Sequence, residues 1–332
     1  MHSLVEINLL RASSFNSTKR SGRQPRVAVM VRSHVVDDKF FELYETLTSG
    51  AIDYDLFAAL DETHGRPELA VDNVMWHSAQ KCMELGLSQQ HPSLLWLCGD
   101  FPFYFALRDL SQYDYYIMLE FDVHLLSKDA TFIGSLVRKL EHAPTGSIDM
   151  LGLGFGKPRP DWMWFATAHA TYSDVRCMYF PFVVLSRRAS SYMYSQRQVE
   201  ASRQPMASEI MHCEAFTASS LQTGGFNCFD LNDFMPGSYS RPHMSMPGGG
   251  YMGQDFDVQY GLQMVHPVYT PRSYLERLIK NVFDGKMERS AFIELLNSRQ
   301  CVKLPNDIRS EFMRAVDTTS LASRQSAGSD RE

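Results

Sequence analysis

The chain has 332 residues, 44% hydrophobic and 21% charged, with a formal net charge of −6. This is the profile of an ordinary globular protein, and it gives no support to nucleic acid as a general partner. Cys82, Cys98, Cys177, Cys213, Cys228 and Cys301 form no CxxC pair, which argues against a structural zinc site and a dense disulfide framework and points to reduced core thiols.

Residues 1–25 are polar and basic and read as a flexible N-terminal arm. The patch Leu4 to Leu10 is broken by Glu6 and Asn8, too short and polar for a signal peptide or a membrane span. Without a later apolar run of spanning length, the expectation is a cytoplasmic protein, with peripheral membrane contact left open. Arg26 to Arg32 is β-branched and apolar, a first strand, with Ser33 and His34 at its C-terminal end. Asp38 to Leu47 reads as a helix and Tyr54 to Leu60 as a second strand ending at Asp61-Glu62, together a βαβ unit. Val71 to Leu85 reads as a helix, Leu94 to Cys98 as a short buried strand, and Phe101 to Leu110 as an aromatic-rich helix.

The stretch Tyr113 to His124 organises the rest. Tyr115 to Leu119 is unbroken apolar and aromatic, the composition of a strand buried on both faces of a parallel sheet. Glu120 and Asp122 follow one residue apart, on one side in extended geometry. Two carboxylates at a buried strand end repel each other and lose hydration unless a cation lies between them. Oxygen donors of this kind suit Mg2+ or Mn2+, which can in turn hold a phosphate. The competing reading is a loop that simply enters water.

Further along, Thr131 to Leu140 has helical spacing, and Ile148 to Leu153 reads as a strand. The glycines at 152, 154 and 156 lack the spacing of a dinucleotide fingerprint. Met178 to Leu185 reads as a strand, with Ser186 capping a helix from Arg187 to about Ala201. Ser208 to Thr223 reads as a helix closed by Gly224-Gly225, and it carries His212 and Glu214. Beside Ala215 and Phe216, a partly buried Glu214 would have a raised pKa suited to general-base work, against the plainer role of a solvated helix carboxylate. Asn227 to Leu231 reads as a strand, residues 235–254 as a Gly- and Pro-rich loop, Met264 to Val268 as a last strand, and Tyr274 to Phe283 and Ser290 to Ser298 as helices. His266 is either a third metal ligand or a satisfied core histidine. Asp255-Phe256-Asp257 is a second, less favoured acidic triplet. Arg32, His34 and Asp61 stand at strand ends, where open α/β sheets bind ligands, or are polar exits into solvent.

This order, with Tyr113-Asp114-Tyr115-Tyr116 ahead of Glu120-Phe121-Asp122-Val123, resembles nucleotide-sugar glycosyltransferases of the GT-A class. The acidic triplet is similar to the DXD-type motif, written Glu-Pro-Asp in eukaryotic mannosyltransferases. Pro181 to Ser186 with Arg187-Arg188 resembles the segment that follows the metal motif in fringe-type transferases. The first acid here is Glu, the middle residue is Phe, and Tyr179-Phe180-Pro181 stands where the fringe-type glycines would be.

The resemblance implies a GT-A-like, Rossmann-type, mostly parallel central sheet flanked by helices. The catalytic domain spans 26–270, a C-terminal helical extension 271–316, and a disordered tail 317–332. It also implies metal-dependent transfer of a sugar from a nucleoside diphosphate-sugar donor to an acceptor hydroxyl on a glycan, a lipid-linked sugar or another molecule, using Mn2+ or Mg2+. Asp122 and His266 would be metal ligands, and Glu120 would bind the metal through water or hold the ribose. Arg32, His34 and Asp61 would lie near the nucleotide, and Glu214 would be the base of an inverting enzyme. Trp162, Trp164 and Tyr172 would offer an aromatic acceptor platform, and the loop from Gly237 to Gly253 could close over the donor. The alternatives are another metal-dependent enzyme acting on phosphates, a nucleotidyltransferase or phosphodiesterase using a second metal, or a non-catalytic sugar- or nucleotide-binding protein on the same fold.

Overall fold

The computed structural model describes residues 25–284 except 52, 68, 70, 88–93, 127–130, 204–209, 242–243, 245–250 and 253–261, with isolated positions beyond at 288, 290, 291, 293, 294, 310 and 314. The N-terminal arm, the C-terminal tail, Asp255, Asp257, Cys301 and most of the helix expected at Ser290 to Ser298 lie outside the described residues, so those readings have no structural counterpart.

The centre is a seven-stranded sheet ordered β3-β2-β1-β4-β7-β6-β8. Its strands are β1 (Val27–Ser33), β2 (Asp55–Asp61), β3 (Val74–His77), β4 (Tyr115–Glu120), β6 (Met150–Gly156), β7 (Cys177–Ser186) and β8 (Cys228–Asp230). β3, β2, β1 and β4 run parallel, while β7 is antiparallel to both β4 and β6. The result is a mixed α/β fold with a mostly parallel central sheet flanked by helices, consistent with a GT-A-like arrangement.

Side-chain alternation along the central strands builds two apolar layers. Val29, Val31, Ile117, Leu119, Phe182 and Val184 face the layer covered by α1 (Asp38–Ser49) and α5 (Thr131–His142). Ala28, Met30, Tyr116, Met118, Val183 and Leu185 face the opposite layer, filled by α4 (Phe101–Asp109), α7 (Arg187–Arg203) and α8 (Cys213–Thr223). Burial on both sides explains why β1 and β4 read as continuous apolar runs.

Local chemistry sets the helix ends. Asp37 caps α1, accepting from the backbone N–H groups of Lys39 and Phe40. Ser186 caps α7 by accepting from Ala189 N, and its hydroxyl donates to the fully buried Asp149. The glycines of 152–156 lie within β6 and open no helix.

Several elements depart from the sequence reading. Val71 to Leu85 is not one helix: Val74–His77 forms edge strand β3, and Ser78 then caps α2 (Ala79–Glu84). Pairing of Ala58 to Asp61 with β3 supplies hydrogen bonds that a helix would forgo. Leu94 to Cys98 is not a strand but carries the turn α3 (Leu94–Leu97), closed by Cys98 N donating to Leu94 O. Trp162 to Arg176, aromatic and irregular as a sequence, includes a short helix, α6 (Phe165–His169). α8 starts at Cys213, and His212 is its N-cap rather than a residue inside it. The last strand is split into β10 (Met264–Val265) and β11 (Val268–Tyr269), separated by His266 and Pro267. The C-terminal helix α10 spans Pro271–Phe283. Among the described residues, no helix is long and apolar enough to cross a membrane, and the cysteines are unpaired thiols.

Candidate metal and acid-base site

The parallel sheet presents the C-terminal ends of β1 and β4 side by side. Arg32 and Glu120 are register partners there, and Arg32 Nη1 donates to Glu120 Oε1 at 2.7 Å. The other guanidinium nitrogen donates to the carbonyl of Leu95 at 2.6 Å, tying α3 to the strand end. The strand stops at Glu120, and a turn closed by Val123 N donating to Glu120 O carries Asp122. The two carboxylates therefore converge through a turn rather than through the extended alternation expected from the sequence.

His266 joins them from far along the chain. The pair β5 (His124–Leu125) and β10 is antiparallel, and Val268 N donates to Asp122 O at 2.8 Å. These backbone bonds place His266 Nε2 at 3.4 Å from Asp122 Oδ1 and 3.6 Å from Glu120 Oε2. The candidate ligand atoms of Glu120, Asp122 and His266 all lie within 4.8 Å of one another. Among the described residues this is the one such group.

The donor set fits a divalent cation. Asp122 Oδ1 and His266 Nδ1 are buried without a hydrogen-bond partner, and a buried polar atom left unsatisfied costs about 1–3 kcal/mol. Burial pushes the Glu120 carboxyl up, but His266 and Arg32 overturn that and hold it at about 2. Burial likewise opposes protonation of His266, and Asp122 and Glu120 overturn it to about 10. Without metal, His266 lies at ion-pair distance from both carboxylates without a hydrogen bond to Asp122 Oδ1, in the position where a cation would satisfy them. Two carboxylates and one imidazole match Mn2+ or Mg2+ better than a soft metal.

Glu214 occupies the first turn of α8. The His212 ring caps the helix, its Nδ1 accepting from Glu214 N at 3.3 Å. Burial, followed by repulsion from Glu120, raises the Glu214 carboxyl from 4.5 to about 8, against a hydrogen bond from the Phe180 backbone and attraction to His266. Glu214 thus belongs to the same electrostatic neighbourhood as the acidic cluster. Burial and the positive charge of Arg197 hold His212 down at about 4, so at neutral pH it is an uncharged cap 3.9 Å from Glu214 Oε2.

The other sequence-derived residues sit around this centre. His34 is exposed, packs edge-on against Phe121 with ring centroids 5.3 Å apart, and acts on Glu120 through charge. Asp61 ends β2, accepts from Thr63 N at 2.7 Å and is in register with His77. It lies outside the metal-spaced group. Reading residues 71–85 as a helix hid His77, which is buried at the end of β3 with both ring nitrogens unpartnered; burial and Arg32 lower its pKa to about 4.

The sequence reading also missed what positions the Glu214 loop. Arg197, 1% exposed, donates to both oxygens of the fully buried Asp100 at 2.8 Å and to Met211 O at 2.9 Å. Glu200 accepts from Met211 N at 3.2 Å, so both backbone groups of Met211 are held just ahead of His212 and Glu214. A buried arginine carries no sequence signal on a helix whose other faces are polar. Gly99 is a second such device. A Cβ there would lie 2.6 Å from Arg32 Nη1 and 3.1 Å from both Cys213 Sγ and Phe180 Cδ1, so its absence lets the α3–α4 turn close onto Arg32 and α8.

No family model matches this chain, and no curated protein matches it. Solved structures do. One is titled "Crystal structure of a glycosyltransferase involved in the glycosylation of the major capsid of PBCV-1". It is 8% identical with a TM-score of 0.38, and the match covers 73% of this chain and 92% of that one. A superposition this loose leaves the function to be argued from the site.

Proposed function

We propose that this protein is a divalent-metal-dependent glycosyltransferase that moves a sugar from a nucleoside diphosphate-sugar to an acceptor hydroxyl. The observation that carries the reading is the convergence of Glu120, Asp122 and His266 at the C-terminal end of β4, with Glu214 in the same electrostatic neighbourhood. Asp122 and His266 would hold Mn2+ or Mg2+, with Glu120 bound directly or through water. The bound ion supplies charge neutralisation on the leaving diphosphate. Arg32 keeps Glu120 ionised and fixes its orientation. In an inverting displacement, Glu214 takes the acceptor hydroxyl proton as the new glycosidic C–O bond forms and the bond from the sugar to the phosphate oxygen breaks. Arg32 and Asp61, at the ends of adjacent parallel strands, border the place where such sheets accept a nucleotide, with His34 just beyond β1.

A nucleotidyltransferase or phosphodiesterase with two metals needs a second acidic cluster. The acids that could supply one, Asp255 and Asp257, lie outside the described residues. A carboxylate held at about 8 favours an enzyme over a passive binder, because burying an acid without a task costs stability.

The test is a thermal-shift panel of nucleoside diphosphates and nucleotide-sugars with and without Mn2+, on wild type and Asp122→Asn. A ligand that binds the native state raises the melting temperature. The expected result is a shift for one nucleotide that requires Mn2+ and disappears in the variant, together with loss of turnover. Mn2+-dependent turnover at the wild-type rate in Asp122→Asn would remove the proposal.

A further inference from the structure

Beside Glu214 lies an aromatic cluster that neither the metal group nor the proton transfer uses. The rings of Trp164 and His212 stack with centroids 4.3 Å apart and an interplanar angle of 3°. Trp96 meets both edge-on, at 5.1 Å from His212 and 6.1 Å from Trp164. Trp96 is 61% exposed, although an indole in a compact protein is ordinarily well covered. Trp162 and Tyr172, expected from the sequence to share this surface, are partly buried against the core, as Trp164 is.

The cluster is fastened to both halves of the candidate site. Leu95, next to Trp96, gives its carbonyl to Arg32, which holds Glu120. On the other side, His212 caps the helix of Glu214. Gly99 allows the turn that carries Trp96 to close onto Arg32 and Cys213. The exposed ring thus sits on a turn tied to Arg32 through Leu95 and packs on the histidine that caps the Glu214 helix.

We propose that Trp96, backed by Trp164 and His212, is the acceptor subsite, and that the acceptor is a saccharide whose pyranose ring lies on the Trp96 indole. This deepens the transferase reading and rests on it for the word acceptor. The chemistry selects the occupant. A pyranose has one face of axial C–H bonds and a rim of hydroxyls, so it covers one indole and leaves its hydroxyls to polar groups. The loop that brings Trp164 exposes such groups, Arg159 and Asp161, paired at 2.7 Å. A lipid surface or a protein partner needs a wide apolar face, about 800 Å² per side for a stable protein interface. Among the described residues, the other large exposed apolar side chain on these elements is Met163, whereas Val35, Val199 and Phe229 lie on other elements. One exposed indole is the size of a sugar ring.

The test is ligand-detected saturation-transfer NMR with methyl pyranosides and disaccharides of glucose, galactose, mannose, xylose, fucose and N-acetylglucosamine. Wild type, Trp96→Ala and Trp96→Phe are compared, with the Mn2+ and nucleotide thermal-shift panel run on each. Because Trp96 is mostly exposed, its truncation leaves the fold intact. At least one saccharide should bind wild type, weaken by about tenfold or more in Trp96→Ala and return to within about threefold in Trp96→Phe, the range expected for an aromatic contact. Nucleotide binding should be the same in all three. No saccharide binding, equal binding in wild type and Trp96→Ala, or Trp96-dependent binding to phosphatidylcholine vesicles with no saccharide binding would each overturn the assignment. Nucleotide binding without saccharide binding removes the platform and leaves the transferase standing. Trp96-dependent saccharide binding without any nucleotide binding keeps the saccharide site and removes the transferase.

Discussion

Replacing Glu214 with Gln separates the chemistry of the carboxyl from its shape. The native carboxyl titrates at about 8 against 4.5 for the free group. Between these values the native state holds a proton that the unfolded chain releases, so this group makes the protein less stable as pH rises through the window, and the loss levels off above about 8. At about 1.4 kcal/mol for each pKa unit, the full displacement corresponds to about 5 kcal/mol. The side chain is 17% exposed, and water recovers part of this, leaving roughly 2–4 kcal/mol. Gln keeps an oxygen to accept from the Phe180 backbone but cannot ionise. In metal-free buffer, Glu214→Gln and wild type should therefore unfold together near pH 5 and diverge by pH 8.5. The variant should melt roughly 4–16 °C higher, at about 2–4 °C per kcal/mol. Urea titrations at pH 5, 7 and 8.5 measure the difference directly. The same variant should lose transfer by about 100-fold or more, the contribution of a positioned base, while keeping nucleotide binding. Parallel stability curves across the pH range would refute the buried Glu214 carboxyl of raised pKa on which the mechanism depends.

Two substitutions test the scaffold. Arg197→Met leaves Asp100 buried without its cation, and breaking a buried pair in this way costs about 3–5 kcal/mol; denaturant unfolding should show a lower midpoint, and the double variant Arg197→Met with Asp100→Leu should recover much of the loss. Gly99→Ala places a methyl where Arg32 Nη1, Cys213 Sγ and Phe180 Cδ1 leave no room, so a cost of about 1–3 kcal/mol and weaker Mn2+ binding by calorimetry are expected. Unchanged stability together with unchanged Mn2+ affinity in Gly99→Ala would mean that Arg32 does not depend on that close approach.

What the sequence made legible was what short-range patterning encodes. β1 and β4 stood out because a strand buried on both faces must be apolar throughout, and the acids at the end of β4 break that rule abruptly. Val71 to Leu85 reads as one helix because Val74, Met75 and Trp76 carry a strand whose one partner among the described residues is β2, and the helix signal from Ser78 onward spreads backwards over it. Leu94 to Cys98 is apolar in a way that suits either a strand or a helical turn, and the bond from Cys98 N to Leu94 O decides it. The meeting of His266 with Asp122 was beyond local pattern, since it depends on β5 pairing with β10 and on the Val268 bond, both across more than a hundred residues of chain. Trp96 carried no signal because nothing in a sequence distinguishes an indole that packs inward from one that faces solvent.

The position of Glu214 shows which force sets its chemistry. At the start of α8 its carboxylate faces the positive end of a helix dipole, which favours the charged form by about 0.3–1 kcal/mol. Burial and the Glu120 charge act in the opposite direction and prevail, since the carboxyl is raised to about 8. That balance depends on the depth at which the helix start is held. Arg197 and Glu200 hold Met211 by both of its backbone groups, and Asp100 fixes Arg197 from the far side. Arg197 also lies 3.7 Å over the Phe216 ring, one turn into the same helix. Arg197 and Asp100 are thus locked into a buried ion pair behind the helix. Glu214, its carboxyl raised to about 8, stands at the front, within reach of the Glu120 charge. A catalytic acid-base group needs this division, because its pKa is only as well defined as the burial that sets it.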